Sequence, residues 1–288
     1  MNISLKVRIF NFFRNVFKIR FFETVLASLT LGKSSNHFTC KLVPNPYQYS
    51  SPTFRVVTRN SIFVRVDISD YIGHFLYFGF KDPNIDRLFQ LCKDNFTVLD
   101  VGANIGWTVL GLSSIAKKGH VFGFEPDPYN YERCAENVGL NKFNNITIFP
   151  VGLGNKNTTL NLEIRTPSNR GGNRITDNGQ ITRPVNIVRL DDFPPIQDLS
   201  KVDLIKIDVE GYELNVLRGG ERLLKKFKPL LFIELDDNNL KDQGDSARSL
   251  VEFLSTMGYR IENAATNEKL ESNCNFDKCH CDIVAYHV

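Results

Sequence analysis

Charged residues alternate with apolar ones along one short segment, and this segment is the part of the sequence best suited to chemistry. In the run LIKIDVEGYE over residues 204–213, Lys206, Asp208 and Glu210 occupy every second position. Successive strand residues point to opposite faces, so these three charges would share one face of a strand. Buried charges are unfavourable unless they pair or bind a ligand. The pattern therefore predicts functional groups at the end of a strand, and it favours a functional role for Asp208 and Glu210.

The next apolar run repeats this alternation. It reads LFIELD over residues 231–236 and carries Glu234. If the two strands are neighbours in a sheet, Glu234 faces either Lys206 or Asp208. Two interpretations stay open for Lys206 and Glu234, a role in the site or a buried structural ion pair. The structural pair does not account for Asp208 or Glu210.

A glycine-rich turn, DVGANIG over residues 100–106, follows an earlier apolar run. Glycine lets the backbone turn tightly and approach a ligand closely, and the helix that follows offers free N–H groups to an anion. The spacing from Gly102 to Gly106 lacks the middle glycine of the dinucleotide fingerprint, which disfavours a nicotinamide cofactor. Purely structural turns can also contain two glycines, so this turn alone leaves both interpretations open.

Two further turns carry candidate ligand residues. Glu125 ends the second predicted strand, about 20 residues beyond the glycine turn, where an acid can accept hydrogen bonds from both hydroxyls of an adenosine ribose. Capping of the next helix is the alternative role for an acid in this turn, and it suits Asp127. The third turn, with Gly152 and Leu153, either lines an adenine face or is simply a loop.

The elements that must position these groups alternate between strands and helices from Thr97 onward. Such alternation predicts an α/β fold with a mostly parallel sheet and helices on both faces. Ligands of such sheets bind outside the carboxyl ends of the strands. The predicted strands are Val98–Val101, Val121–Phe124, Ile146–Val151, Val202–Val209 and Leu230–Leu235. The predicted helices are Trp107–Ala116, Tyr129–Leu140, Leu214–Phe227 and Ala247–Met257.

The first 96 residues differ from the rest. Residues 1–33 are expected to form a basic, aromatic helix, because residues 1–22 contain five cations, six phenylalanines and no acid. Charges spread through this segment argue against a signal peptide and against a membrane-spanning helix. Contact with a membrane surface and packing against the body or an oligomer partner both stay open. Residues 34–96 are an accessory segment, with a hairpin around residues 58–61 and a helix from Pro83.

Composition limits the class of protein. The chain has 288 residues, and its 35 Lys and Arg against 32 Asp and Glu give a net charge of +3, too small to indicate a nucleic-acid partner. That length suits one large domain with an accessory part. Six scattered cysteines do not make a disulfide framework and indicate a reducing cytoplasm. Cys274, Cys279, His280 and Cys281 could offer zinc ligands, but their spacing favours a loop before a final strand, Ile283–Val288.

Four motifs in this order and spacing resemble the FkbM-type methyltransferases. Each motif is moderately specific, whereas the set of four is strong, and it covers roughly residues 97–236. The motifs are VLDVGANIG (98–106), FEPDP (124–128), VRLDDF (188–193) and LIKIDVEGYE (204–213).

The resemblance implies a Rossmann-like class I methyltransferase fold over residues 97–288, binding S-adenosylmethionine (SAM) and methylating an oxygen, often on a sugar or polyketide. It also implies a position for each candidate residue. The cofactor would contact Gly102, Asn104 and Gly106 at its methionine end, Glu125 at its ribose, and Gly152 and Leu153 at its adenine. Asp100, at the start of the glycine turn, is a further candidate for cofactor binding. The methyl-transfer centre would be faced by Asp208 and Glu210, with Lys206 and Glu234 beside them.

Methyl transfer is an in-line displacement, and a hydroxyl acceptor needs a base or a metal to remove its proton. Asp208 is the first candidate for the base or for a magnesium ligand, with Glu210 as a second ligand. The sequence leaves the choice between base and Mg²⁺ open.

Three functions compete. The favoured one is a SAM-dependent O-methyltransferase acting on a hydroxyl of a sugar, glycan or related secondary metabolite. The alternatives are a nicotinamide-dependent oxidoreductase on a similar fold, and a catalytically silent interaction module. The expected partner is a small-molecule or glycan acceptor and not a nucleic acid. A homo-oligomer and peripheral membrane association of a cytoplasmic protein stay open.

Overall fold

The structure, a computed structural model, describes residues 5–50, 52–165, 168–176, 179 and 181–288, without the side chains of residues 5–9 and 13. The first four residues of the predicted N-terminal helix lie outside this description. The chain divides into two compact units, Met1–Pro83 with Thr166–Gly171, and Asn84–Arg165 with Gly172–Val288.

The described part of the first unit contains α-helices and a β-hairpin. They are α1 (Leu5–Val16), α2 (Arg20–Thr30), β1 (Phe54–Arg59), β2 (Ile62–Asp67) and α3 (Tyr71–Phe78). The two strands pair antiparallel. The single helix expected over residues 1–33 is divided, because Ile19 leaves the helical conformation with φ −69° and ψ 126°.

Polar side chains fix one face of α2 within this unit. Glu23 is buried, and its carboxylate accepts hydrogen bonds from Arg55 Nε at 2.7 Å and Nη2 at 3.1 Å. The hydroxyl of Thr30 donates to the carbonyl of Phe78 at 2.6 Å. Leu26 is buried between these two contacts along the helix.

The second unit contains the remaining strands and helices. In chain order the strands are β3 (Thr97–Val101), β4 (His120–Phe124), β5 (Ile146–Phe149), β6 (Gly152–Leu153), β7 (Thr158–Glu163), β8 (Arg174–Ile175), β9 (Thr182–Val188), β10 (Leu204–Ile207), β11 (Leu230–Asp236), β12 (Tyr259–Asn263), β13 (Lys269–Leu270) and β14 (His280–His287). The helices are α4 (Pro83–Leu91, whose first residue belongs to the first unit), α5 (Trp107–Ile115), α6 (Pro128–Gly139), α7 (Pro194–Gln197), α8 (Glu213–Gly219), α9 (Glu221–Phe227), α10 (Asp237–Asp242) and α11 (Ala247–Thr256).

Eight of these strands form the main sheet in the order β13-β12-β14-β11-β10-β3-β4-β5. Strands β11, β10, β3, β4 and β5 pair parallel, while β14 runs antiparallel between β11 and β12. The predicted α/β fold with a mostly parallel sheet is confirmed. A separate sheet in the order β6-β9-β7-β8 was not predicted from the sequence.

Two core clusters cover opposite faces of the main sheet. Leu99, Ile205 and Ile233 pack on one face with residues of α8, α9 and α11. Val98 and Leu204 pack on the other face with residues of α4, α5 and α6. Val98 and Leu99 are neighbours in the sequence but lie on opposite faces, because successive strand side chains alternate between faces, and the same holds for Leu204 and Ile205. The predicted placement of helices on both faces is therefore confirmed.

Three predicted elements have different bounds in the structure. The strand expected over Val202–Val209 ends at Ile207, and the final strand begins at His280 rather than Ile283. The helix expected over Leu214–Phe227 is two helices, because the chain leaves the helical conformation at Gly220. Over the residues described, no helix combines the length and apolar character needed to span a membrane.

Candidate active site at the carboxyl end of the sheet

One face of the main sheet changes from apolar to ionisable toward the carboxyl ends of its parallel strands. Deeper in the sheet this face is formed by buried Val98, Leu204 and Phe232. Every second residue beyond them lies on the same face. The ionisable residues that this register brings side by side are Asp100 with Lys206, Glu234 with Asp282, and Asp236 with His280. The carboxyl edge is where ligands of open α/β sheets bind.

Lys206 is the buried cation of this face. Its Nζ lies 3.3 Å from Asp100 Oδ1 and 3.3 Å from Asp208 Oδ2, and it donates to the carbonyl of Gly102 at 2.8 Å. Burial alone would lower the pKa of Lys206, but the two carboxylates outweigh burial and raise it, so the ammonium stays charged. The ion pair considered between Lys206 and Glu234 does not form, because the register places Phe232 beside Lys206.

Asp100 is therefore an internal partner rather than an exposed ligand. Its side chain is fully buried, and it accepts a hydrogen bond from the hydroxyl of Thr108 in addition to its ion pair with Lys206. Asp208, by contrast, keeps about half of its side chain exposed, at 48%. The exposed carboxylate is the one of this pair that a ligand can reach.

The turn after β10 holds two further carboxylates. Glu210 has a positive φ of 56°, so it lies in a tight turn beyond the strand and not on the strand face that the alternation predicts. Its Oε2 accepts from the side-chain amide of Asn239 at 2.8 Å. Burial and the nearby Asp208 raise its pKa to about 7.

Glu213, which was not predicted from the sequence, stabilises this turn through hydrogen bonds to its backbone. Its Oε1 accepts from the backbone N–H groups of Val209 at 3.2 Å and Gly211 at 3.0 Å. The side chain is buried, and burial raises its pKa to about 7. Its position four residues beyond Val209, at the first turn of α8, is the signal that could have identified it as a helix-start acid.

The glycine turn after β3 packs directly against the turn after β10. Gly102 has a φ of +83°, and a Cβ atom there would collide with the backbone carbonyl of Asp208. Gly106 has a φ of +89°, and a Cβ atom there would lie 2.8 Å from Cys134 Sγ. Both glycines are therefore required by local packing, which also brings the turn into contact with Asp208.

Glu125, at the end of β4, contacts the glycine turn through its carboxylate. Its Oε2 accepts from the backbone N–H of Asn104 at 2.8 Å, and its Oε1 accepts from the backbone N–H of Asp127 at 2.9 Å. Burial raises its pKa to about 7. A carboxylate has about four acceptor positions, so two stay available for a ligand. The predicted capping role of Asp127 is confirmed by its hydrogen bond from the N–H of Tyr129, at 3.1 Å.

The two candidate residues of the third predicted turn, Gly152 and Leu153, lie in different surroundings. Leu153 is buried in the core cluster, so its side chain is committed to the core. Gly152 approaches Ile187 so closely that a Cβ atom would lie 2.6 Å from its Cδ1. Both residues form β6, which pairs with β9 in the smaller sheet.

The environment of Glu234 favours the neutral form of its carboxyl group. Burial, and then the neighbouring charges of Asp208 and Glu210, raise its pKa. Its Oε2 is buried and has no hydrogen-bond partner among the described residues. A neutral carboxyl group can donate a hydrogen bond as well as accept one, so Glu234 offers a donor next to the carboxylates.

An Asp–His pair stands at the same edge. His280 Nδ1 lies 2.8 Å from Asp236 Oδ2. Asp236 is itself fixed, because its Oδ1 accepts from the N–H groups of Asn238 at 2.8 Å and Asn239 at 3.0 Å. The imidazole is 67% exposed, and Nδ1 is the nitrogen engaged with Asp236. Extending the alternation of the final strand by three residues would have placed His280 on this face.

The neighbouring cysteines are thiols, and Cys279 Sγ and Cys281 Sγ are 3.6 Å apart. Over the part of the chain that the structure describes, no group of three or more His, Cys, Asp or Glu side chains is arranged to hold a metal ion.

Comparison with known proteins adds to this geometry. Residues 100–261 match the family described as "Methyltransferase FkbM domain". The 2-O-methyltransferase NoeI of Sinorhizobium fredii is 29% identical over 181 residues, which cover 56% of this chain and 72% of that protein. The hexuronic acid methyltransferase AglP of Haloferax volcanii is 28% identical over 143 residues, 49% of this chain and 56% of that protein. The crystal structure of FkbM methyltransferase from Methylobacillus flagellatus is 20% identical, with a TM-score of 0.44 over 75% of this chain and 52% of that one.

The sheet order and the turns at its carboxyl edge define a Rossmann-like class I methyltransferase. With its family match spanning more than half of its length, the chain belongs to the FkbM methyltransferase family. It is a SAM-dependent methyltransferase, and the resemblance that its four motifs carry is confirmed.

Proposed function

We propose that this enzyme transfers the methyl group of SAM to a hydroxyl oxygen of a sugar-containing acceptor. The names of two relatives support this acceptor class, since one describes a 2-O-methyltransferase and the other a hexuronic acid methyltransferase. The observation that carries the proposal is the fixed carboxylate of Glu125 at the end of β4, beside the glycine turn.

Glu125 suits the ribose of the cofactor for a specific reason. Its two oxygens are already oriented by the N–H groups of Asn104 and Asp127. Each oxygen keeps a lone pair, and together they match the two hydroxyls of a ribose. The turn from Gly102 to Gly106 leads into α5, whose first N–H groups suit the carboxylate of the methionine end. The bound cofactor would supply an electrophilic methyl carbon to this edge of the sheet.

The acceptor oxygen needs a base, and we assign that role to His280. Asp208, the base expected from the sequence, already forms an ion pair with the buried Lys206 ammonium through Oδ2, at 3.3 Å. The exposed imidazole of His280 is oriented by Asp236 through Nδ1, an arrangement that leaves Nε2 to take a proton from a hydroxyl. The neutral carboxyl of Glu234 and the carboxylate of Asp208 suit hydrogen bonds to neighbouring sugar hydroxyls.

Calorimetric titration with SAM tests the cofactor site. Glu125→Gln keeps the shape of the side chain but removes its charge, and hydrogen bonds to charged groups are worth about 1.5–3 kcal/mol each. We therefore expect SAM affinity to fall by at least about tenfold, while Glu132→Gln, an exposed acid on α6, binds as the wild type does. Wild-type affinity in Glu125→Gln would refute the assignment. Titration with NAD⁺ should show no binding.

Methyl transfer to a panel of glycosides tests the acceptor and the base. With labelled SAM, incorporation is expected into glycosides with a free 2-hydroxyl or into hexuronic acid glycosides. For the best acceptor, His280→Ala should lower the transfer rate about 10²–10⁴-fold with unchanged SAM affinity, and added imidazole should restore part of it. A full rate in His280→Ala together with a collapsed rate in Asp208→Asn would return the base to Asp208. Loss of wild-type activity on chelation, restored by Mg²⁺, would instead indicate a metal.

A further inference from the structure

Helix α2 has two apolar faces, and only one of them is buried. The buried face holds Leu26 and Ala27, together with Glu23 and Thr30. On the opposite side Phe21, Val25 and Leu29 are 70%, 43% and 54% exposed. Residues four apart lie above one another on a helix, so these three side chains form one continuous stripe. We call them the α2 stripe.

Additional exposed apolar residues extend the α2 stripe along and around the helix. Phe22 is exposed beside Phe21, and the two rings meet edge to face with centroids 5.4 Å apart. Ile19, just before the helix, and Leu31, just after it, are exposed as well. An exposed apolar surface of this extent marks a place where the protein contacts something else.

The sequence around the α2 stripe is basic. Residues 1–50 contain seven Lys and Arg and a single acid, Glu23. That acid is buried and paired with Arg20 and Arg55, so it adds no exposed negative charge. Lys18 precedes the helix and Lys33 follows it, so cations stand at both ends of the stripe. The α2 stripe therefore combines exposed apolar side chains with a cation at each end.

We infer that the α2 stripe docks on an anionic lipid bilayer, lying in the plane of the interface. Apolar residues flanked by cations are the combination that binds negatively charged headgroups and inserts side chains between them. A second copy of the same face is disfavoured, since it would bring cations against cations with no exposed acid in residues 1–50 to pair them. The inference is independent of the proposed acceptor and base.

Sedimentation with vesicles tests this inference in the full-length protein. We expect binding to vesicles of phosphatidylcholine with phosphatidylglycerol, and binding at least about tenfold weaker to phosphatidylcholine alone. Raising the salt concentration to about 0.5 M should weaken binding to the anionic vesicles, because the Debye length shrinks.

Two sets of variants separate the apolar and the charged contributions. The triple change Phe21→Ser, Val25→Ser and Leu29→Ser should weaken binding about tenfold to a hundredfold. Changing Lys18 and Lys33 to Gln should weaken it about fivefold per charge. The matched control changes three exposed apolar residues elsewhere to Ser and should bind as the wild type does. These control residues are Val56, Leu140 and Ile181.

All variants should keep the wild-type melting temperature and SAM affinity, because the changed side chains are exposed or, at Lys18, half-buried at the surface. Equal binding by the triple variant and its control would overturn the inference. So would the absence of binding to anionic vesicles in the wild type. A concentration-dependent dimer that sediments as a monomer once the α2 stripe is changed, without vesicle binding, would assign the stripe to a second copy of the chain instead.

Discussion

Lys206 offers the sharpest test of how the site is held together. Replacing it with Met keeps a long, flexible side chain of similar volume but removes the ammonium. The change deletes two ion pairs, with Asp100 and Asp208, and two hydrogen bonds, to the carbonyls of Gly102 at 2.8 Å and Val101 at 3.5 Å. The losses of the two ion pairs differ greatly in weight, because the two carboxylates differ in burial.

The dominant loss is at Asp100. Its side chain is fully buried, and without Lys206 only the hydroxyl of Thr108 contacts it among the interactions described. Removing one partner of a buried ion pair destabilises a protein by about 3–5 kcal/mol, because the other charge is left uncompensated. The pair with Asp208 is partly exposed, so its loss should contribute no more than about 1 kcal/mol. We expect Lys206→Met to lower the free energy of unfolding by about 3–5 kcal/mol.

Urea unfolding followed by tryptophan fluorescence measures this change. The chain has one tryptophan, Trp107, at the start of α5, so the signal reports on the second unit. Asp208→Asn is the matched control, and it should stay within about 1 kcal/mol of the wild type. The double change Asp100→Asn with Lys206→Met should recover most of the lost stability, because no buried charge is then unpaired.

Either of two results would refute this reasoning. The first is a Lys206→Met variant whose unfolding free energy matches the wild type within 1 kcal/mol or so. The second is a double variant that is no more stable than Lys206→Met alone. In both cases the buried charge of Asp100 would not be what Lys206 compensates.

Three further outcomes follow from the same geometry. Burial raises the pKa of Glu213 from 4.5 to about 7, so its contribution to stability is full below pH 4.5 and is lost as the pH rises through 7. In urea unfolding, the free energy of unfolding of Glu213→Gln should therefore match that of the wild type at pH 4.5. At pH 8 it should be higher than that of the wild type by up to about 3 kcal/mol. Gly106→Ala should destabilise the second unit by more than about 1 kcal/mol, because φ is +89° and Cys134 Sγ is close; adding Cys134→Ala should relieve the contact but not the backbone strain. Asp191→Ala should reduce the unfolding free energy by about 2 kcal/mol, since its buried carboxylate accepts from the N–H groups at the start of α9, and a change below 0.5 kcal/mol or so would contradict this.

The strands of the main sheet were predictable because their apolar runs are local. The runs at Val98–Val101, Val121–Phe124 and Leu230–Leu235 each lie within one residue of the observed strand at either end. The predicted ends of elements were wrong where a glycine or a side-chain hydrogen bond to the backbone intervenes. Gly220 divides the helix expected over Leu214–Phe227. The strand expected to continue to Val209 ends earlier, and the N–H of Val209 donates to the carboxylate of Glu213 instead.

The site was predictable only in part, for a similar reason. The alternation of Lys206 with Asp208 predicted that charges share a face, and the acid at the end of β4 predicted a ribose site, which stays a prediction. The partner of Lys206 could not be read from this pattern, because Asp100 is more than a hundred residues away in the chain. The pattern offered Glu234 instead, which lies two positions beyond Phe232, the residue that the register places beside Lys206.

The sequence by itself determined the local features of this protein. Apolar runs, turn glycines and the four ordered motifs established the parallel α/β sheet, the family and the turns that carry the site, because each depends on residues close together in the chain. Only the tertiary structure decided the pairings across strands. The register of β3 against β10 joins Asp100 to Lys206, and that of β11 against β14 brings Asp236 to His280. Such contacts depend on strand order and stagger, which the packing of the whole sheet sets.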